Sequence, residues 1–174
     1  LAVFLLGLDQ QQVKLVGAVP VIVPTRSTDG FAVHAEAMIK AITPKTKAII
    51  INSPCNPTGA LVDEATVAAV ADEAAKRGIW IIVDLCYEQL IYEQVPHNLP
   101  KVLFDRHRNR TILAGSASKS YAMTGWRVGW LIGPSDVVKA ATNFQSHATS
   151  NVSNVAQRAA LAAGIAVDRR VGAH

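Results

Sequence analysis

Residues 47–84 read KAIIINSPCNPTGALVDEATVAAVADEAAKRGIWIIVD and predict a strand, a helix and a second strand in succession. The apolar run 47–51 is rich in β-branched residues without polar alternation, which is typical of a strand covered on both faces. Residues 63–77 begin with acidic and end with basic side chains, and Gly78 follows as a C-terminal cap, so a helix is predicted there. A second buried strand is predicted at 79–83. The stripe of the helix that we expect to be buried consists of Val67, Val70, Ala71 and Ala74.

The alternation of strands and helices continues on both sides of this unit. Further strands are predicted at 19–23, 111–115 and 127–132, and further helices at 33–41, from Pro134 and from about Ser153. Strands and helices that alternate at these intervals form βαβ units with parallel strands. We therefore expect an α/β fold, a three-layer α/β/α sandwich around a mostly parallel sheet.

The composition is that of a packed α/β protein in a reducing compartment. Half of the 174 residues are hydrophobic and 17% are charged, which excludes a disordered chain. Two cysteines, Cys55 and Cys86, make a poor disulfide framework and show no zinc-ligand spacing, so we expect a cytoplasmic protein without a metal site. No run reaches the roughly 18 apolar residues of a membrane helix. The basic run 106–110 lacks aromatic residues, so we interpret it as a solvated loop and expect no nucleic-acid partner.

Chemically capable side chains follow three of the predicted strands. The first strand leads to Asn56, the next ends at Asp84 with Tyr87 close behind, and the third is followed by Ser116 and Lys119. Ligands of parallel sheets bind outside the carboxyl ends of the strands. We therefore expect these groups to meet at one edge of the sheet.

Each of the charged residues has more than one interpretation when it is taken alone. Asp84 could cap a helix, bind a metal or pair with a cationic ligand. Lys119 could lie in water, but a partly desolvated lysine has a lowered pKa and becomes a nucleophile that forms Schiff bases. Arg127 could form a surface salt bridge, or it could bind a phosphate or carboxylate through two parallel hydrogen bonds.

Three motifs together resemble one family. Residues 116–129, SASKSYAMTGWRVG, are similar to the lysine signature of the class I/II aminotransferases, which are fold-type I pyridoxal-phosphate (PLP) enzymes. The loop 52–59, NSPCNPTG, resembles the N-P-T-G loop of that family, and residues 84–87, DLCY, resemble its D-x-x-Y segment. All three stand in the family's order, and the resemblance extends from about Val13 to Ala163.

The resemblance implies a catalytic role for three residues. Lys119 would hold PLP as a Schiff base and then shuttle a proton between the substrate Cα and the cofactor. Asp84 would pair with the pyridine nitrogen and keep it protonated, which makes the ring an electron sink. Tyr87 would act beside them. The implied activity is the transfer of an amino group between an amino acid and a 2-oxo acid.

The resemblance also implies the cofactor-binding set. Asn56 and Tyr87 would hydrogen-bond the phenolic oxygen of PLP. Arg127 and Ser116 would bind the phosphate, with Ser118 as a weaker candidate.

The chain departs from the family pattern at several places. Ala117 replaces a usual aromatic residue, Leu85 replaces a usual glutamate, and Leu6 stands where an aromatic side chain would stack on the cofactor. The segment that completes the phosphate site and the small domain that binds the substrate carboxylate have no counterpart in the chain. We therefore expect residues 1–174 to be the central part of the PLP-binding large domain, with little or no transaminase activity in isolation.

Other functions on the same scaffold stay open at this point. A carbon–sulfur lyase or a decarboxylase would need the same cofactor residues, and a PLP-sensing transcription regulator would share this domain. A nicotinamide dehydrogenase is disfavoured because no G-x-G-x-x-G follows a predicted strand. The resemblance also implies a homodimer. Residues 147–154 are a candidate contact with the second subunit, although Ser and Asn caps at a helix junction explain them equally well.

Overall fold

Six strands form one mixed sheet in the computed structural model, which describes residues 2–5, 10–92, 95 and 97–171. The strands are β1 (Ala2–Leu5), β2 (Val19–Ile22), β3 (Thr46–Asn52), β4 (Trp80–Asp84), β5 (Thr111–Ser116) and β6 (Gly129–Ile132). Their spatial order is β2-β1-β3-β4-β5-β6. All neighbouring pairs are parallel except β5 and β6, which are antiparallel. The predicted α/β fold with a mostly parallel sheet is confirmed.

Seven helices connect and follow the strands within the described residues. They are α1 (Gln10–Leu15), α2 (Ala35–Ala41), α3 (Glu64–Lys76), α4 (Leu99–His107), α5 (Ala117–Ser120), α6 (Ser135–Ala148) and α7 (Asn154–Val171). Each strand and helix that the sequence predicts is present, with its bounds within two residues of the expected ones.

The main core lies between one face of the sheet and helices α2, α3 and α4. It includes Ile51 of β3, Val83 of β4, Met38 of α2, Val70 of α3 and Leu103 of α4, all buried. Burying a side chain of this size stabilises the fold by about 1.5–3 kcal/mol. The apolar strands of the central βαβ unit therefore contribute to this core together with the buried stripes of the three helices.

Helix α1 packs near the opposite face of the sheet. Val13 of α1 and Ala18 are buried together, and Ala48 and Ile50 of β3 pack against them. Helices thus lie on both faces of the sheet, as the three-layer prediction requires.

Helix α3 shows why the sequence prediction succeeded in the centre of the chain. Asp63 is the N-cap, and its carboxylate accepts a hydrogen bond from the Thr66 backbone N–H at 2.8 Å. At the other end Gly78 has φ of 66°, a left-handed conformation that glycine adopts without strain. The buried residues are the predicted Val67, Val70, Ala71 and Ala74.

Residues 106–110 are mostly exposed, as expected, but they are not a loop. Arg106 and His107 form the last turn of α4, a helix that the sequence analysis missed, and residues 108–110 form a 3₁₀ turn. The Asp72 carboxylate of α3 binds the Arg106 guanidinium at 2.9 Å and the His107 Nε2 at 2.6 Å. Arg106 and His107 therefore fasten α4 to α3, because both have the same partner on the neighbouring helix.

Strand β1 and helix α1 were not predicted from the sequence. Strand β1 has only four residues and pairs with both β2 and β3, so its pairing rather than its own pattern defines it. Leu6, which was singled out as a departure from the family pattern, lies outside the described residues.

Two further structural findings concern membranes and metals. Among the described residues, no helix is both long and apolar enough to cross a membrane. In the same part of the chain, no group of three or more His, Cys, Asp or Glu side chains is placed to hold a metal ion.

A glycine on β5 is covered by an aromatic side chain of β6. Gly115 pairs with Trp130, and a Cβ atom built on Gly115 would lie 2.3 Å from Cε2 of the indole. Gly129 is similarly constrained, because its Cβ would lie 2.7 Å from the Gly115 carbonyl oxygen. Both glycines allow β6 to lie close to the end of β5.

We expect Gly115→Ala to destabilise the protein by about 1–3 kcal/mol, because the indole must leave its position over the glycine. The free energy of unfolding in urea measures this loss. The matched control is the same substitution in a Trp130→Leu background, where the clash is removed and the cost of the alanine should largely disappear. An equal cost in both backgrounds would contradict the explanation.

Candidate active site

The carboxyl ends of β3, β4 and β5 are level with one another. Asn52 pairs with Asp84, and Asp84 pairs with Ala114. The segments that follow the three strands therefore leave the sheet at the same edge, where parallel sheets bind their ligands.

The loop 52–59 is held in shape by its own hydrogen bonds. The Asn52 side-chain oxygen accepts from the Asn56 backbone N–H at 2.9 Å. The backbone N–H of Cys55 donates to the Ala60 carbonyl at 2.9 Å, and that of Gly59 donates to the Cys55 carbonyl at 2.7 Å. These bonds fix the backbone from which the Asn56 side chain extends.

Asn56 and Tyr87 form a direct contact, and Lys119 lies beside them. The Asn56 side-chain Nδ2 donates to the Tyr87 hydroxyl at 3.0 Å. The Lys119 Nζ is 6.0 Å from the centre of the Tyr87 ring, on the helix α5 that follows β5. An amide, a phenol and an amine from three separate segments thus converge.

Asp84 presents a half-buried carboxylate at the end of β4. Its Oδ1 accepts a hydrogen bond from the Cys86 backbone N–H at 2.9 Å. Among the described residues, none donates a hydrogen bond to its Oδ2. Such a carboxylate is suited to pairing with a protonated ring nitrogen.

The Cys86 thiol lies among three of the candidate residues. Burial raises its pKa above the ordinary value, and the Asp84 carboxylate raises it further. The Lys119 ammonium and the Ser116 hydroxyl act in the opposite direction. The sequence analysis noted Cys86 as a small residue near the pocket, and the structure places its thiol within the electrostatic reach of the candidate amine and carboxylate.

Ser116, Ser118 and Arg127 form a second group, which is connected through Thr124. The Ser116 hydroxyl caps α5 by accepting from the Ser118 backbone N–H at 3.0 Å. Thr124 donates its hydroxyl to the Ser118 carbonyl at 3.1 Å, and its own carbonyl accepts from the Arg127 guanidinium at 2.9 Å. Arg127 is exposed and has a left-handed backbone, with φ of 52°. These bonds hold the segment that carries Arg127 against the segment that carries Ser116 and Ser118.

A family model for class I and II aminotransferases matches residues 10–172. The chain belongs to this family. Its aminotransferase relatives include the aspartate aminotransferase of Streptomyces avermitilis, which is 48% identical over 88% of the chain, and that of Bacillus subtilis, which is 42% identical over 88%. The chain spans only 38% and 39% of the length of these two relatives.

Solved aminotransferase structures have the same fold. The aspartate aminotransferase of Thermus thermophilus with maleate superimposes with a TM-score of 0.82, at 34% identity, over 90% of this chain and 40% of its own. The aromatic aminotransferase of Pyrococcus horikoshii gives a TM-score of 0.85 at 32% identity, over 97% of this chain and 47% of its own.

The donor set of this aminotransferase chain fits PLP, the cofactor of the family. The cofactor carries an aldehyde, a phenolic oxygen, a ring nitrogen and a phosphate. The exposed amine of Lys119, the Asn56–Tyr87 pair and the half-buried Asp84 match the first three in chemical type. The exposed guanidinium of Arg127, with the hydroxyls of its turn, matches the phosphate.

Two residues that organise this site were not singled out from the sequence. Asn52 holds the loop in place, and Thr124 links Arg127 to the turn after β5. The signal for Asn52 was present, since an asparagine at the end of a strand can hydrogen-bond the backbone of the following turn. Thr124 gave no comparable signal, because its contact depends on how the chain folds back.

Proposed function

We propose that the protein is a PLP-dependent aminotransferase that transfers an amino group between an amino acid and a 2-oxo acid. The observation that carries the proposal is the convergence of the Lys119 amine with the Asn56–Tyr87 hydrogen bond at the level of Asp84. The names of the relatives, aspartate aminotransferases in both cases, support aspartate as the amino donor to test first.

The cofactor residues are assigned as follows. Lys119 would hold the cofactor covalently through Nζ, and Asp84 would pair with the ring nitrogen. Asn56 and Tyr87 would bind the phenolic oxygen, and the phosphate would be bound by Ser116, Ser118 and Arg127. When bound, the cofactor supplies an aldehyde for the substrate amine and a ring that withdraws electrons from the substrate Cα.

The residues of the chain supply the remaining chemistry. Lys119, once displaced by the substrate amine, would carry a proton to and from the substrate Cα. Asp84 would keep a proton on the ring nitrogen through its negative charge. The Asn56 side chain would orient the Tyr87 hydroxyl, since their 3.0 Å bond fixes the position of the phenol.

The domain, the oligomeric state and the cellular location of the protein complete the proposal. We propose that residues 1–174 are the central part of the PLP-binding large domain and that the protein acts as a homodimer in the cytoplasm. The free thiols of Cys55 and Cys86 agree with a reducing compartment. The segment 147–154, which joins α6 to α7 and is mostly exposed, is the proposed contact with the second subunit.

Covalent labelling tests the proposal. We expect PLP to give the intact protein a visible absorbance band, and borohydride to fix the cofactor on the peptide that contains Lys119 as a stable secondary amine. The matched control is Lys47→Ala, which removes an exposed lysine near the opposite end of β3 and should leave the labelling unchanged. Absence of the label from the Lys119 peptide of the intact protein would refute the proposal.

A further inference from the structure

A buried serine in the loop 52–59 contacts a histidine that the function described above does not use. Ser53 has no exposed surface, and its hydroxyl oxygen accepts a hydrogen bond from the Val62 backbone N–H at 2.9 Å. The same oxygen lies 3.3 Å from the His97 Nε2. A buried hydroxyl needs an acceptor for its own hydrogen, and an unprotonated Nε2 provides one.

The Ser53–Val62 bond closes the base of the loop that carries Asn56. Within the loop the Asn56 backbone N–H donates to Asn52 and that of Cys55 donates to the Ala60 carbonyl, while the Asn56 side chain reaches Tyr87. The Ser53–Val62 bond adds a connection from the base of the loop to the segment that follows it. Loss of the Ser53 hydrogen bond should loosen the loop at Asn56 and so weaken the hydrogen bond between Asn56 and Tyr87.

The residue that follows His97 in the chain is fixed to two helices. The backbone N–H of Asn98 donates to the Glu64 carboxylate of α3 at 2.7 Å. The Asn98 side chain caps α4 by accepting from the Lys101 backbone N–H at 3.0 Å. The imidazole thus contacts the cofactor loop at Ser53, and the residue after it, Asn98, is bonded to the starts of α3 and α4.

We propose that His97, in its neutral form, is a positioning residue that holds the Ser53 hydroxyl and thereby sets the loop 53–62 and the Asn56–Tyr87 pair. The effect on cofactor binding rests on the proposed function. The effect on the loop does not, because it concerns hydrogen bonds that exist without any ligand.

The surroundings of the imidazole favour the neutral form. Burial lowers the pKa of His97 below its ordinary value, while the Ser53 carbonyl and the Glu64 carboxylate of α3 raise it in part. Glu64 is the one charged group among the described residues that acts on this pKa. Since the folded protein binds this proton less readily, the stabilisation is present above about pH 6.5 and is lost as the pH falls through the pKa of the folded state.

Amide hydrogen exchange in the protein without PLP tests the loop directly. We expect Ser53→Ala and His97→Ala each to speed exchange of the Val62 amide by about tenfold, the loss of one hydrogen bond. The double variant should be no faster than either single one, because both remove the same connection. His34→Ala is the control, since His34 is exposed and bonded to Asp29 instead. Two results would overturn the proposal. One is an exchange rate in the double variant that equals the product of the two single effects, and the other is an unchanged exchange rate of the Val62 amide in either single variant.

The pH dependence of PLP affinity tests the consequence for the site. In the wild type we expect the affinity to fall as the pH drops through the lowered pKa that His97 has in the folded protein. His97→Gln keeps a hydrogen-bond acceptor that does not titrate, so it should bind PLP nearly as well at pH 7.5 and show a flatter profile. An identical profile in this variant would overturn the role of His97 protonation. If PLP never labels Lys119, the proposed function fails, and the exchange experiment still decides the role of His97.

Discussion

Lys119→Ala in the intact protein is expected to lower kcat for transamination by about 10⁴-fold. The amine is the proposed covalent attachment point and also the proposed carrier of the Cα proton, so a single truncation removes both functions. The Asn56–Tyr87 hydrogen bond does not involve Lys119 and should persist in the variant. We therefore expect the affinity for PLP to fall much less than kcat, as steady-state rates and equilibrium titration with PLP would show.

Two controls separate loss of chemistry from loss of structure. Lys119 is exposed, so its truncation should change the free energy of unfolding by no more than about 0.5 kcal/mol. Lys119→Arg retains a positive charge but supplies no nucleophilic amine at neutral pH, and it should be as inactive as the alanine variant. Appreciable activity in the arginine variant would show that charge, rather than a reactive amine, is what the site requires.

The central sheet was predictable because its strands carry apolar runs. Residues 48–51 and 79–83 are apolar without polar alternation, which is typical of strands in a parallel sheet covered by helices. The caps of the connecting helix are equally explicit, with Asp63 at one end and Gly78 at the other. Here local propensity and tertiary environment favour the same structure.

The missed elements are those whose stability comes from their partners. Helix α4 has nine residues, and its charged end is satisfied by Asp72 of α3, which the sequence near 106–110 does not reveal. Strand β1 is defined by pairing on both sides. The antiparallel direction of β6 depends on the tight turn after Lys119, where Arg127 has a positive φ. Pattern analysis detects burial, but it cannot detect a distant partner.

The same limit applies to the candidate site. The ends of predicted strands indicated Asp84, Asn56 and Lys119, because each follows an apolar run. Their convergence required the register that puts Asn52 opposite Asp84, which no single segment encodes. The link from His97 to Ser53 joins residues 44 positions apart and has no sequence signature of its own.

Asp84→Asn is the second substitution with a large expected effect, and it isolates the charge of the carboxylate. Asparagine keeps a side-chain oxygen that can accept the Cys86 backbone N–H, as Asp84 does at 2.9 Å. The local turn should therefore survive while the negative charge is lost. In the proposed site Asp84 would keep the ring nitrogen of the cofactor protonated, so we expect loss of its charge to lower kcat by about 10²–10³-fold. Asp84→Ala should lose the turn as well, and comparison of the two variants separates the contributions of charge and hydrogen bond.

The Cys86 thiol reports on the same charge without any cofactor. Burial is the largest cause of its raised pKa, and the Asp84 carboxylate is the second. In Asp84→Asn the second cause disappears, so the pKa of Cys86 should fall and the thiolate fraction at pH 8 should rise. Alkylation by iodoacetamide, followed against pH in a Cys55→Ser background, measures this change at Cys86 alone. A lowered kcat with an unshifted thiol profile would mean that the carboxylate acts on the reaction from a different position than the one described here. A lowered kcat together with a shifted alkylation profile of Cys86 would place the carboxylate, the thiol and the reaction at one edge of the sheet.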